Sequence, residues 1–112
     1  MYTIYRIHDG QVTTLKKLSA NLKDVWIHAE SPTADELAEL KGYVNIPQEV
    51  IKDTKDVNEV PKLDAFGETP FILIQTPVVH LDKAKKPIRY TVAPLGILIE
   101  KKCVFTIAWQ HI

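Results

Sequence analysis

Three stretches of this 112-residue chain are apolar almost without interruption: residues 71–74 (FILI), 95–99 (LGILI) and 104–107 (VFTI). A strand with one wet face alternates apolar and polar residues, because successive side chains point to opposite sides of the sheet. Strands that are apolar on both sides therefore predict a sheet covered on both faces. The rest of the sequence offers little to cover it. Only residues 33–43 and 47–53 carry helix signals. Two short helices, each about 10 Å wide, suffice for roughly one face of such a sheet. One face should be left bare, to be covered by further chain or by a second copy in a homodimer. The chain also runs out at Gln110, His111 and Ile112 directly after a strand, which fits a piece of a longer protein.

The other signals fill in the elements. Tyr2–His8 and Gln11–Leu15 are strand-like and flank Asp9-Gly10, a two-residue hairpin signal. Residues 24–29 (DVWIHA) form a strand with Val25, Ile27 and Ala29 on one side and Trp26 and His28 on the other. Thr33 with Glu36 makes a capping-box pair, and Asp35 and Glu36 suit the positive end of the helix that follows. Leu37, Leu40 and Val44 form its apolar stripe, and Gly42 marks its end. Pro47 fits the first turn of a second helix, with Val50 and Ile51 as its apolar side and an end near Asp53 or Thr54.

Strands follow at Lys62–Phe66 and 71–81, separated by a Gly67-Glu68 turn. Pro77 inside the second implies an edge, a bend or a bulge. A Lys-rich hairpin loop at 82–87 leads to a strand over 89–100, and Lys101-Lys102 turns the chain into Cys103–Ala108. The expected fold is an α/β (α+β) domain: a mixed sheet of about six to seven strands with two short helices on one face. Residues 1–112 read as a single domain.

Charge and composition exclude several classes. Lys plus Arg balances Asp plus Glu at 14 each, so no electrostatic pull toward nucleic acid or an anionic membrane is expected. The lone Cys103 rules out an internal disulfide and fits a reducing compartment. No apolar run approaches the roughly 18 residues of a membrane span, and the N-terminus lacks a signal-peptide layout. The segment itself reads as a soluble intracellular domain.

The order of segments resembles the CorA-type magnesium and divalent-cation transport proteins. WIHAESPTADELAEL is similar to the family's strand with a leading Trp running into an acidic helix. NIPQEVIKDTKDVNEVPKLDAFGETPFILIQTPVV resembles the stretch after it, a Pro-initiated helix ending in acids, then a loop, a strand and a long apolar strand. TVAPLGILIEKKCVFTI resembles the later hairpin opened by Pro-Leu-Gly. The likeness spans roughly Val25 to Ile107.

The resemblance implies the N-terminal cytoplasmic domain of a homopentameric ion channel in the cell membrane. Long C-terminal helices and two membrane spans would follow, with a Gly-Met-Asn motif at the pore. That motif is absent and the only methionine is Met1, so the chain would not conduct ions itself. It would shape the cytoplasmic funnel and sense intracellular Mg²⁺ or another divalent cation such as Co²⁺. The following long helix would cover the bare face, and the fragment alone would pair with itself there.

In the family, an acidic residue at the end of the second helix contributes to a regulatory intersubunit cation site. Asp53 matches it, and Asp56 is its nearest acidic neighbour. Hard cations want carboxylate oxygens, yet Lys52 and Lys55 flank the pair and weaken the field.

His8, His28, His80 and His111 lack zinc-site spacing. Lys101 and Lys102 beside Cys103 would lower its pKa, but no base partners it, and packing is its expected role. Trp26 and Trp109 read as core or interface anchors. No catalytic constellation is present, so no enzymatic activity is expected. A free-standing binding module of the same fold, with no link to ion transport, is the rival reading.

Overall fold

The two-residue turn at Asp9-Gly10 forms with φ of 51° and 74°, the pair of positive angles that matches the twist of a two-residue hairpin. It joins β1 (Tyr2–His8) to β2 (Gln11–Leu15), with His8 opposite Gln11. The computed structural model describes residues 1–111. β3 (Val25–Glu30) lies antiparallel on the other side of β1, pairing Ile27 with Ile4. After two helices come β4 (Lys62–Phe66), β5 (Thr69–Leu81), β6 (Pro87–Ile99) and β7 (Cys103–Ala108). Among the described residues, seven strands form one mixed sheet in the order β2-β1-β3-β7-β6-β5-β4. β3 and β7 run parallel, and the other neighbours are antiparallel.

Helix α1 (Ala34–Lys41) starts where the capping box placed it. The Glu36 amide donates to Thr33 Oγ1 at 3.1 Å and the Thr33 amide donates to Glu36 Oε1 at 3.0 Å. The Met1 ammonium donates to the same Glu36 oxygen at 2.9 Å, tying β1 to the helix start. Leu40 and Val44 are fully buried and Leu37 packs at the edge of the core. Helix α2 (Gln48–Lys55) has Pro47 as its N-cap in extended backbone, one position before the first turn. It runs on to Lys55, past the end the sequence suggested.

Both helices lie on one face. Register places Ile4, Ile27, Phe71, Leu73, Leu98, Phe105 and Ile107 on that side, and all are buried. Gly96 shares this face. A Cβ there would meet Thr54 Cγ2 of α2 at 2.6 Å, so the glycine sets how closely helix and sheet approach.

Most of the opposite face is uncovered, as the burial argument predicts, although Thr106 and Ala108 on it are buried. Alternation puts Leu63, Ile72, Ile74, Leu95, Ile97, Ile99, Val104 and Trp26 there. None is buried, and Leu63 is 76% exposed.

One feature lies beyond the sequence expectation. β4 pairs only with Thr69–Leu73 of β5, and β7 only with Leu95–Ile99 of β6. Residues 74–81 and 87–94 therefore leave the sheet as a two-stranded ribbon, with a register shift at His80/Leu81. Pro77 falls where β5 has an open edge on its β4 side, the tolerance the sequence required of that proline.

Candidate functional site

Asp53 sits near the end of α2 on the turn that also carries Val50 and Thr54. Three residues along a helix bring a side chain back to the same face, so Asp53 points inward with Val50 and is only 9% exposed. A buried carboxylate needs a partner, and Lys62 of β4 supplies it: Lys62 Nζ lies 2.8 Å from Asp53 Oδ2. Lys62 stands opposite Leu73, which is what turns it toward α2. The hydrogen bond to Asp53 raises the Lys62 pKa above its ordinary value; desolvation opposes the rise and the Asp53 charge reinforces it.

Asp56 is exposed and caps α2, its amide donating to the Asp53 carbonyl at 3.3 Å. Its Oδ1 accepts from the Asn58 amide at 2.9 Å, an Asx turn that sets the path toward β4. Both sequence-predicted acids thus already hold structural bonds. Among the described residues, no group of three or more His, Cys, Asp or Glu side chains is placed to hold a metal ion. Two carboxylates, one already neutralised by an ammonium, make an incomplete shell for a cation that wants six oxygens. This chain alone does not fit as a whole Mg²⁺ site.

The cation that governs Asp53 was not the one the sequence suggested. Lys55 extends over the Trp109 ring, 4.3 Å from its centroid, and Lys52 is exposed. Lys62 lies nine residues beyond Asp53 on another element, and only the β4–β5 register reveals it. Cys103 also departs from expectation. It is 6% exposed, and burial, with the Glu100 charge adding, pushes its thiol pKa up despite Lys101 and Lys102. A raised pKa disfavours the reactive thiolate.

The bare face carries a polar seam that the sequence did not disclose. The parallel register sets His28 opposite Thr106. Trp26 Nε1 donates to Thr106 Oγ1 at 2.9 Å, and His28 Nδ1 lies 2.7 Å from the same oxygen. His28 Nε2 and His111 Nδ1 lie 3.7 and 2.8 Å from the two oxygens of Glu30. The seam fixes Trp26, which also stacks on Tyr5 at 4.7 Å between centroids. Beside it runs an open groove of about 770 Å³ lined by Tyr5, Ile7, Val12, Trp26 and Val104. The arrangement is an apolar floor with oriented aromatics, suited to receiving another surface. His8 meets Asp9 and His80 meets Thr91, far from this seam.

The profile of the CorA-like Mg2+ transporter protein family matches residues 22–112. The complete structure of the CorA magnesium transporter from Methanocaldococcus jannaschii is similar in fold, with a TM-score of 0.74 at 20% identity. The match covers 100% of this chain and 33% of that one. The soluble domain of that CorA gives a TM-score of 0.74 at 21% identity, with 100% of this chain on 42% of that one. The full-length CmaX protein gives 0.63 at 13% identity, covering 100% and 35%. The chain thus spans less than half the length of each. No curated protein matches it in sequence.

Proposed function

The chain belongs to the CorA-like Mg2+ transporter protein family, and from that membership we propose that it forms the cytoplasmic, regulatory and structural part of a divalent-cation transporter. The family is one of membrane transporters with a soluble domain, and not a class of enzymes. No helix among the described residues is long and apolar enough to cross a membrane, so conduction is assigned to the rest of the longer protein. The observation that carries the reading is the family match over residues 22–112, which hold both helices and the strands β3 to β7. The bare face supports it: monomers usually expose apolar patches of no more than about 300–600 Å², and Leu63, Ile72, Ile74, Leu95, Ile97, Ile99, Val104 and Trp26 share this face unburied. The remainder of a longer protein is its natural cover, since this chain spans 42% of the soluble domain it resembles.

In this reading the whole protein is a homopentamer in the cell membrane that carries Mg²⁺ or a related cation such as Co²⁺. Asp53 and Asp56 are one subunit's share of a regulatory cation site at a subunit boundary, and the neighbouring subunit supplies the missing ligands. Lys62 competes with the cation for Asp53.

The test is Mg²⁺ uptake by vesicles holding the longer protein, with and without this segment. Uptake that persists but no longer responds to internal Mg²⁺ supports a regulatory role. An assembled protein whose uptake and internal Mg²⁺ response are unchanged by the deletion overturns it.

A further inference from the structure

The even balance of charge over the whole chain conceals a local surplus. Between Glu68 and Glu100 the sequence holds one acid, Asp82, against Lys83, Lys85, Lys86 and Arg89. All four cations lie at the far end of the β5–β6 ribbon, Arg89 opposite His80 and the lysines in the loop beyond. Asp82 is spent on that loop. Its Oδ1 accepts from the Ala84 and Lys86 amides at 2.8 and 2.9 Å, and its amide donates to the Lys86 carbonyl at 2.9 Å. Among the described residues none of the four cations makes an ion pair, and all are exposed. Lys85 sits at φ of 61°, a backbone that glycine or asparagine adopts more readily. The loop therefore carries a charge where turn chemistry alone favours another residue.

The ribbon has a packed side and an open side. Val78 and Ala93 continue the side of Ile74 and Leu95 and are 7% and 1% exposed. His80 Nε2 lies 2.9 Å from Thr91 Oγ1 on the same side. An isolated two-stranded ribbon is marginal in water, so this inner side serves to hold the arm together and is not free for a partner. The other side is open: Val79 stands opposite Tyr90 and Pro77 opposite Val92. Toward the tip, Leu81, Ile88 and Tyr90 are 52%, 61% and 68% exposed, interleaved with the cations. The eight residues from Ile74 to Leu81 place that tip roughly 23 Å along the strand, at about 3.3 Å per residue, from where β5 leaves the sheet.

We propose that this tip docks on an anionic lipid surface, its lysines and Arg89 among the headgroups and Leu81, Ile88 and Tyr90 at the boundary with the acyl chains. Headgroup phosphates and carboxylates complement four unpaired cations, and a tyrosine, with its apolar body and polar end, suits the membrane interface. Nucleic acid fits less well, because one exposed ring between two aliphatic side chains makes no stacking platform. Each cation near a surface rich in anionic lipid strengthens binding by about fivefold, and four by several hundredfold. One arm is thus a weak, salt-sensitive anchor. A ring of five copies with its axis along the membrane normal would bring five identical arms to the surface at one depth, where linked contacts multiply. The sequence expectation of no pull toward an anionic membrane rested on the total charge, which cancels; the arm holds its cations apart from the acids. The proposal agrees with the homopentamer above, but it stands on the chemistry of the arm and holds whether or not the chain serves Mg²⁺ transport.

Co-sedimentation of the whole chain with vesicles provides the test. Vesicles of phosphatidylserine and phosphatidylcholine in equal parts should bind the chain at least tenfold more tightly than pure phosphatidylcholine, and added salt should release it. Lys85→Asn, which suits the turn, should weaken binding about fivefold, and Ile88→Asn should weaken it several-fold with the charge unchanged. Lys16→Gln with Lys17→Gln, an exposed pair after β2 at the opposite edge of the sheet, should leave it within twofold. No binding to the anionic vesicles overturns the proposal, as does binding that survives Lys83→Gln, Lys85→Asn and Lys86→Gln together. Equal binding to pure phosphatidylcholine that Ile99→Glu abolishes assigns the contact to the bare face and overturns it. Release by soluble glycerophosphoserine at matching headgroup concentration means a site for the free headgroup, and lysine-dependent binding to single-stranded RNA without binding to vesicles assigns the tip to nucleic acid; either result overturns it.

Discussion

Gly96 is where the chain has least room. A methyl group there would meet Thr54 Cγ2 at 2.6 Å, Phe71 Cε1 at 3.1 Å and Ile107 Cγ2 at 3.3 Å. Thr54 cannot turn aside freely, because its hydroxyl donates to the Val50 carbonyl at 2.7 Å and lies 2.9 Å from the Trp109 indole nitrogen. Gly96→Ala should destabilise by about 1–3 kcal/mol, as overpacking does, and Thr54→Ser should recover part of it by removing the methyl group but keeping the hydroxyl. Urea unfolding of the single and double variants measures both. Leu40→Ala removes a fully buried side chain and should cost about 2–5 kcal/mol; a loss under half a kcal/mol would mean that the stripe is not core. Tyr2 gives a pH signature. Burial and then its hydrogen bond to Glu39 raise its pKa from 10.0 to about 12. Stability linked to the protonated phenol is therefore complete below pH 10 and is lost as pH rises toward 12. Alkaline titration of phenolate absorbance, compared with Tyr2→Phe, should isolate a transition near the upper value. The Leu40 stripe was visible in the helical spacing of the sequence. The Asp53–Lys62 pair was not, because nothing local records which residue a register will bring across.

The elements were the most legible level, for a physical reason. Turn dipeptides, caps and apolar alternation act within a few residues, and the Asp9-Gly10 hairpin, the Thr33–Glu36 box and the β7 bounds all follow from such local rules. Thr33→Ala should cost about 0.5–2 kcal/mol. Thermal unfolding checks this, and the loss should lie toward the upper end because Glu36 also holds the Met1 ammonium. Strand length relative to neighbours is a different matter. β5 and β6 each have 13 residues and β4 and β7 have 5 and 6, so the excess must leave the sheet. Each long strand was readable, but the order β7-β6-β5-β4 that leaves their far halves unpaired was not. Pro77 was the one local hint, since a proline in the middle of a sheet calls for an open edge. The candidate cation ligands were legible as residue types, and their existing bonds were not.

At the scale of the molecule, the bare face predicts a measurable exposure. Trp26 is 44% exposed on it. Its fluorescence should be quenched readily by acrylamide in the isolated chain and several-fold less in the longer protein, with Trp26→Phe identifying its share. Equal quenching in both would mean that the face stays open. Mass composition cannot reveal such a face; counting covering elements against two-sided strands can. The parallel pairing of β3 with β7 has another consequence. β7 is the fourth of seven strands across the sheet yet the last to leave the ribosome. The β1–β2–β3 unit and the β4–β5–β6 unit share no strand contact until it arrives, and its partners in β3 lie 78 residues earlier in sequence. Loop closure over that span must precede its reward. The nascent chain therefore waits as two open half-sheets, each with an unsatisfied inner edge, and is most exposed to mispairing just before β7 is made.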